Sequence, residues 1–166
     1  ADRADLRRRV EAREIGGSAA AEAAAEAMDR VVVATFALAL RQVFADAPPT
    51  PLALIAVGGY GRGELAPFSD LDLLFVTPPR HAKKAEAAVE FALYLLWDLG
   101  LKVGHATRTI EDCVRKARDD LTVRTSLLES RFLSGERALF DQMKQRFHDG
   151  LVATTGPAFV SEKLAE

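Results

Sequence analysis

A chain of 166 residues is long enough for one domain with a substantial core, and its 49% hydrophobic and 28% charged residues are ordinary for a globular protein. The formal net charge of −2 gives no basic excess, so nucleic-acid binding is not expected, and no apolar run approaches the roughly 18 residues of a membrane span. The single cysteine, Cys113, excludes an intrachain disulfide and fits a reducing compartment, so we expect a cytoplasmic protein.

The first fifty residues predict a helical extension followed by a proline-rich linker. Residues 2–14 are charged and compatible with a helix, and the alanine-rich residues 19–45 favour a long helix, with Ser18 as its candidate N-cap. The prolines of residues 47–51 predict a rigid connection, because each ring fixes its backbone φ angle. We therefore expect residues 1–50 to form a segment distinct from the core that follows.

Two apolar strands enclose a glycine turn and an aspartate pair. The run LALIAV (52–57) predicts a buried strand that breaks into a Gly-Gly pair, and LLFV (73–76) predicts a second strand. Asp70 and Asp72 lead directly into that second strand. Because strand side chains alternate between faces, the two carboxylates are expected to point the same way.

These residue types in this order indicate metal-assisted transfer of a phosphoryl or nucleotidyl group. Adjacent carboxylates repel each other unless a cation or shared proton relieves the repulsion, and Mg²⁺ prefers aspartate oxygens together with substrate phosphates. Gly58 and Gly59 leave backbone N–H groups free to approach an anion. Arg62 suits bidentate phosphate contact, and the Ser69 hydroxyl is a candidate phosphate donor. The alternative is structural: a plain turn, a surface charge and a solvated strand edge.

The better-known glycine motifs do not fit this segment. A Rossmann fingerprint that starts at Gly59 would need a glycine at its sixth position, where the chain has Glu64. A P-loop needs Gly-Lys followed by Ser or Thr, whereas Gly63 precedes Glu64. Glu64 is expected to be structural, as an ion-pair partner of Arg62.

The rest of the chain predicts alternating helices and strands. They are, in order, a Pro-Pro turn at 78–79, an amphipathic helix over 82–99 closed by Gly100, a strand over 101–108, a short helix from Glu111 capped by Thr109, a strand over 127–133 for which a helix is the alternative, and a helix from Ser134 to about His148. His105 and Arg108 are candidate site contacts on the first of these strands, although a structural role suits His105 equally. Tyr94 and Trp97 are expected in the core, and Cys113 is expected to be buried.

The pattern of an apolar strand, Gly-Gly, about a dozen residues and Asp-apolar-Asp is similar to the signature of polymerase-beta-type nucleotidyltransferases. Read as a whole, GGYGRGELAPFSDLDLLFV resembles the bacterial PII uridylyltransferase/uridylyl-removing family. LYLLWDLGLKVGHATRTIEDC, TSLLESRFLSG and the terminal FVSEKLAE extend the resemblance over roughly residues 52–166. Ala106-Thr107 departs from the Ser-Val expected in that family.

The resemblance implies an α+β fold of the polymerase-beta-like nucleotidyltransferase type, with a small mixed sheet flanked by helices. Residues 51–150 would form the nucleotidyltransferase core, and residues 151–166 the start of a truncated helical extension. The implied reaction moves UMP from UTP to a tyrosine hydroxyl of the signalling protein PII, releases pyrophosphate, and uses Mg²⁺ or Mn²⁺. The family's hydrolase and regulatory domains, and its effector glutamine, belong to the full-length multifunctional enzyme, so the chain is expected to be the transferase core alone.

The resemblance also implies a third carboxylate on a neighbouring strand, and Glu129 is our choice. Glu129-Ser130-Arg131 matches the Asp-x-Arg that a related group of nucleotidyltransferases has in this place. In a strand, Arg131 would share a face with Glu129 and pair with it or contact the nucleotide. The alternative is that Glu129 is a surface residue on a helix.

Two other functions stay open at this point. The first is a nucleotidyltransferase of the same fold with another acceptor, such as an antibiotic, an RNA end or a different protein. The second is a non-catalytic nucleotide-binding regulatory module. The intact pair of Asp70 and Asp72 disfavours the second, because such a module has no need of two carboxylates that repel each other.

Overall fold

The structure is a computed structural model that describes residues 8, 12, 16–45, 50–66 and 69–152. Four strands are interspersed with helices through this part of the chain. In order they are α1 (Gly17–Val43), β1 (Ala53–Ala56), α2 (Gly58–Gly61), β2 (Leu71–Val76), a 3₁₀ turn (Pro79–His81), α3 (Ala82–Asp98), β3 (Val103–Arg108), α4 (Ile110–Asp119), α5 (Leu121–Leu128), β4 (Arg131–Gly135), α6 (Arg137–Phe147) and a π-helical turn (His148–Val152).

The four strands form one mixed sheet in the order β3-β2-β1-β4. β1 pairs antiparallel with both β2 and β4, whereas β2 and β3 run parallel. Parallel neighbours need a crossover connection, and α3 supplies it here. The expected small mixed sheet flanked by helices is confirmed.

Both faces of the sheet are buried, which explains why β1 and β2 read as continuous apolar runs. Leu73 and Phe75 pack on one face with residues of α1 and α3, while Leu74 and Val76 pack on the other with residues of α4 and α6. Each fully buried side chain of this size stabilises the fold by roughly 1.5–3 kcal/mol. Asp72, the second residue of β2, is the exposed position of this strand, so a polar side chain costs little there.

The long helix predicted over residues 19–45 and the amphipathic helix predicted over residues 82–99 are both confirmed, as α1 and α3. Gly100 closes α3 with a φ of 73°, a left-handed conformation that favours glycine. Ser18 is not the N-cap of α1, since Gly16 occupies that position and the Ser18 hydroxyl donates to Glu22. None of the described helices is long and apolar enough to cross a membrane.

Several predictions fall on residues that the structure does not describe. They concern the charged segment 2–14 apart from residues 8 and 12, most of the proline-rich linker, and the terminal residues 153–166.

The strand predicted over residues 127–133 is partly wrong. α5 runs to Leu128, and β4 begins only at Arg131. The Asp120 side chain caps α5 by accepting the N–H groups of Thr122 and Val123, which commits the segment to a helix. Ser134 likewise does not cap the last helix. It lies in β4, and Glu136 caps α6.

Tyr94 and Trp97 are not core residues, contrary to expectation. Their exposed fractions are 63% and 44%, because they lie off the buried face of α3. Their rings meet edge to face at 5.7 Å, and Trp97 lies 6.2 Å from the ring of His105. Cys113 is buried as expected, and burial raises the pKa of its thiol to about 12.

Gly135, at the end of β4, is expected to tolerate no side chain. Its φ is 91°, and an added Cβ would overlap the carbonyl oxygen of Leu52. We expect Gly135→Ala to lower the free energy of unfolding by about 2–4 kcal/mol in a urea titration, from left-handed strain and overpacking together. Gly100→Ala is the matched control, because it has the same sign of φ but open space, and should cost about 1–2 kcal/mol. Equal losses in the two variants would contradict the steric account.

Candidate active site

Asp70 and Asp72 lie together at the beginning of β2. Asp72 is the second residue of that strand, Asp70 immediately precedes it, and both are exposed. The pKa of the Asp72 carboxyl is raised, first by partial burial and second by the negative charge of Asp70. The structure therefore brings the two predicted carboxylates close enough to repel each other, and a bound cation would relieve that repulsion.

Two glycines from different segments flank the Asp72 carboxylate. Gly104 of β3 is paired with Asp72 in the parallel register, and a Cβ on it would lie 2.6 Å from Asp72 Oδ1. A Cβ on Gly58 would lie 3.3 Å from Asp72 Oδ2. Gly104 was missed in the sequence, although a glycine inside a strand is itself a signal that another group approaches closely.

The Gly-Gly pair forms the first turn of the four-residue helix α2. Gly58 has a φ of 60°, and the N–H of Gly61 donates to the Val57 carbonyl at 3.0 Å. The N–H groups of Gly58 and Gly59 lie at the start of this turn, where helical geometry offers them no upstream carbonyl. Amides in this position suit an anion such as a phosphate.

Arg62 lies directly after the turn and bridges two glutamates. Its Nε donates to Glu64 Oε2 at 3.2 Å, and its Nη1 lies 2.9 Å from Glu129 Oε1. Hydrogen bonds with Glu64 and then Glu129 raise the pKa of Arg62. The expected pairing of Arg62 with Glu64 is confirmed. About half of the Arg62 side chain is exposed, so an incoming anion has access to the guanidinium.

Glu129 and Arg131 take different places from those predicted. Glu129 caps the C-terminus of α5 instead of lying in a strand, so it does not share a face with Arg131. Arg131 instead donates to Asp29 of α1, at 2.6 and 3.1 Å, and to the carbonyl of Tyr60 at 3.1 Å. In the part of the chain that the structure describes, no three His, Cys, Asp or Glu side chains gather as a metal site, so Glu129 is not brought together with the aspartate pair.

The other candidate contacts divide between the two faces of the sheet. His105 contacts Trp97 on the α3 side, which is opposite to the face that carries Gly104. Arg108 is on the same face of β3 as Gly104 and lines the cleft beside Asp72. Ser69 is exposed next to Asp70, and its backbone N–H donates to the Ala66 carbonyl at 3.1 Å.

A cleft of about 330 Å³ opens over Asp72. One wall comes from β2 and β3, with Gly104 and Arg108, and the other comes from the start of α5, with Asp120 and Thr122. The α5 wall was missed in the sequence, because no helix was predicted to begin near Asp120. A cleft lined by Asp72, Asp120 and Arg108 suits a polar substrate that arrives with a cation.

Comparison with known proteins gives a consistent assignment. The family described as "Nucleotidyltransferase domain" matches residues 39–132, more than half of the chain. A solved structure titled "Crystal structure of the toxin-antitoxin with AMP-PNP" aligns with a TM-score of 0.42 and 14% identity, over 76% of this chain and 97% of that chain. That likeness is too distant to bear on the site.

Several curated relatives carry the name "Bifunctional uridylyltransferase/uridylyl-removing enzyme". The protein from Rhodospirillum rubrum is 48% identical, and the match covers 99% of this chain and 18% of the relative. The protein from Azospirillum brasilense is also 48% identical, over 99% of this chain and 18% of the relative. The protein from Caulobacter vibrioides is 51% identical, over 83% of this chain and 15% of the relative. The chain thus spans less than a fifth of the length of these relatives. Because the family match includes the glycine turn, both aspartates and the start of β4, the chain belongs to the nucleotidyltransferase domain family.

Proposed function

We propose that the protein transfers UMP from UTP to a tyrosine hydroxyl of the signalling protein PII and releases pyrophosphate. The observation that carries the proposal is the meeting of Asp70 and Asp72 with the glycine turn at one end of the sheet. Uridylyl transfer is supported by the names of the relatives, since nothing in these residues selects a base, and PII as the acceptor follows from the resemblance alone.

Asp70 and Asp72 fit a hard divalent cation, and we propose that they hold Mg²⁺, or Mn²⁺. Their donors are carboxylate oxygens, the pair repels itself as it stands, and Gly58 and Gly104 leave room around Asp72. When bound, the ion supplies charge neutralisation and Lewis-acid polarisation of the phosphates.

The residues of the chain then have separate tasks. The N–H groups of Gly58 and Gly59 receive phosphate oxygens, with the Ser69 hydroxyl as a further donor, and Arg62 adds a bidentate contact. Held in this way, the α-phosphorus faces the acceptor for in-line attack. The tyrosine oxygen forms a bond to that phosphorus, the bond to the pyrophosphate oxygen breaks, and the hydroxyl proton passes to a carboxylate.

We propose Glu129 as that carboxylate and as the third metal ligand. Glu129 is held by Arg62 at 2.9 Å. The assignment therefore requires Arg62 to exchange Glu129 for a phosphate when the nucleotide binds, and the released carboxylate to move to the aspartate pair. An ion pair with a half-exposed arginine contributes only about 0–1 kcal/mol, so this exchange costs little.

The wider context belongs to the same proposal. We propose a helical extension with a proline-rich linker over residues 1–50, a nucleotidyltransferase core over residues 51–150, and a helical extension over residues 151–166. Arg108, His105 and Arg131 remain candidate contacts around the core, and of these Arg108 and His105 line the cleft over Asp72. We propose glutamine as the effector of the full-length protein and the cytoplasm as its location.

The aspartate pair gives the first test of this function. We expect Asp70→Asn/Asp72→Asn to abolish the Mg²⁺-dependent part of UTP binding in a calorimetric titration, because both carboxylates of the cation site are gone. Asp72→Asn alone should unfold at the wild-type temperature or slightly above it, since the raised pKa of Asp72 marks a charge that the fold disfavours. A collapse of thermal stability would make the pair structural.

The control for that test is Asp98→Asn, at the exposed end of α3, which should bind UTP as the wild type does. ATP, CTP and GTP are titrated beside UTP. A clear preference for another nucleotide would keep the chemistry and move the function to a different acceptor. Binding without turnover in the presence of PII would favour the non-catalytic regulatory module.

Glu129 and Glu64 allow a matched comparison, because both are partners of Arg62. We expect Glu129→Gln to lower turnover about 100-fold and to raise the Mg²⁺ concentration that turnover requires, because a ligand and proton acceptor is lost. Glu64→Gln should change only the KM for UTP, by a few-fold. Turnover measured against Mg²⁺ concentration separates the two variants. If both behave alike, Glu129 serves only to hold Arg62, and the third carboxylate lies elsewhere.

A further inference from the structure

One carboxylate of the N-terminal helix reaches the glycine turn. Asp29 of α1 accepts the Tyr60 hydroxyl at 2.7 Å and the two terminal nitrogens of Arg131 at 2.6 and 3.1 Å. Its side chain is 27% exposed, so these bonds are shielded in part from water. Asp29 also lies outside residues 39–132, the part of the chain that the family match covers.

Both donors to Asp29 belong to segments that build the site. Tyr60 is the third residue of α2, directly after Gly58 and Gly59. Arg131 opens β4, and its Nη2 donates to the Tyr60 backbone carbonyl at 3.1 Å in addition to Asp29. The guanidinium thus holds the main chain of the turn, while Asp29 holds the guanidinium and the Tyr60 hydroxyl.

The same turn is in close contact with the segment that leads to Arg131. A Cβ on Gly61 would overlap the carbonyl oxygen of Glu129 and would lie 3.0 Å from the carbonyl oxygen of Ala56. Any shift of Arg131 is therefore passed to the turn through Glu129 and Gly61 as well as through Tyr60. Close-packed backbone of this kind transmits a displacement instead of absorbing it.

The charges of the cluster depend on Asp29. Its hydrogen bond is the largest cause of the raised pKa of Arg131, and burial followed by the bond to Asp29 raises the pKa of Tyr60. Arg131 Nε is already buried without a hydrogen-bond partner in the described part of the chain. Removing the Asp29 carboxylate would leave a half-buried cation with the Tyr60 carbonyl as its remaining acceptor, an arrangement that favours rearrangement of the turn.

We propose that Asp29 is a positioning residue of the nucleotide site, acting through Arg131 and Tyr60 to hold the glycine-turn amides in the conformation that receives phosphate. The proposal deepens the proposed function and rests on it. Part of the nucleotide-binding site would then lie in α1, a helix that contributes no residue to the motif formed by the Gly-Gly turn and the aspartate pair.

The test compares Asp29→Asn with Val32→Ala in the 166-residue chain. Val32 is buried in α1 one turn from Asp29 and packs in the core, so its truncation loosens the same helix without removing a hydrogen bond to the turn. Two readouts are taken well below the unfolding temperatures. They are the affinity for UTP with Mg²⁺ by calorimetry and amide hydrogen exchange of residues 57–64 by mass spectrometry.

We expect Asp29→Asn to weaken UTP binding about 10-fold, which corresponds to about 1.4 kcal/mol, and to speed exchange in residues 57–64. Val32→Ala should lower the unfolding temperature while leaving affinity and that exchange unchanged. Tyr60→Phe keeps the Asp29–Arg131 pair, so it should fold even if Asp29→Asn does not, and should weaken UTP binding by a few-fold.

The proposal is overturned if Asp29→Asn matches Val32→Ala in both readouts. If Asp29→Asn does not fold, the proposal is overturned when Tyr60→Phe matches Val32→Ala in both. In either case Asp29 would be an ordinary structural residue. Failure of the proposed function is a separate outcome, seen as no UTP binding by the wild type. In that case the exchange comparison still decides whether Asp29 orders the turn. Faster exchange confined to Asp29→Asn supports ordering, and equal exchange in the two variants overturns it.

Discussion

The antiparallel pairing of β1 with β2 is the constraint on which the site depends. Ala56 lies opposite Leu73, and the Val57 N–H donates to the Asp72 carbonyl at 3.0 Å. The turn that ends one strand is thereby delivered beside the aspartate that begins the next. Since main-chain hydrogen bonds fix this approach, the polar side chains around it are left available for a ligand.

The two arginines nearest the turn are held in different ways, and the difference has a functional meaning. Arg62 is about half exposed and shares its charge between two glutamates, so a phosphate can replace either partner at small cost. Arg131 is less exposed and is bonded to Asp29 and to the main chain of Tyr60. The first cation is suited to exchange during a reaction cycle, and the second is suited to remain in place.

The aspartate pair and the glycine turn were predictable because their chemistry is local in the chain. Asp72 lies in β2 and Asp70 directly precedes that strand, so two positions apart in the chain they stay close whatever the rest of the fold does. The position of Glu129 was not predictable in this way, since it depends on whether residues 127–133 begin as helix or strand. That choice is made by Asp120, a capping residue several positions upstream.

The remaining failures concern contacts that no local pattern encodes. Asp29 and Arg131 are 102 residues apart, and only the sheet order, which places β4 at an edge beside α1, brings them together. Exposure of Tyr94 and Trp97 was missed for a related reason. Alanines together with Val89, Leu93 and Leu96 form the buried face of α3, and the two aromatic side chains were assumed to belong there.

The exposed position of Trp97 gives the protein an optical property. Trp97 is the single tryptophan of the chain, and its indole ring lies against the ring of His105. His105 follows Gly104, the β3 residue that lies beside the Asp72 carboxylate. Half-exposed indole emission depends on the water and polar groups around it. Any change around this indole when the cleft fills would alter the emission of one native fluorophore, so that the molecule carries its own probe for stopped-flow kinetics without a label.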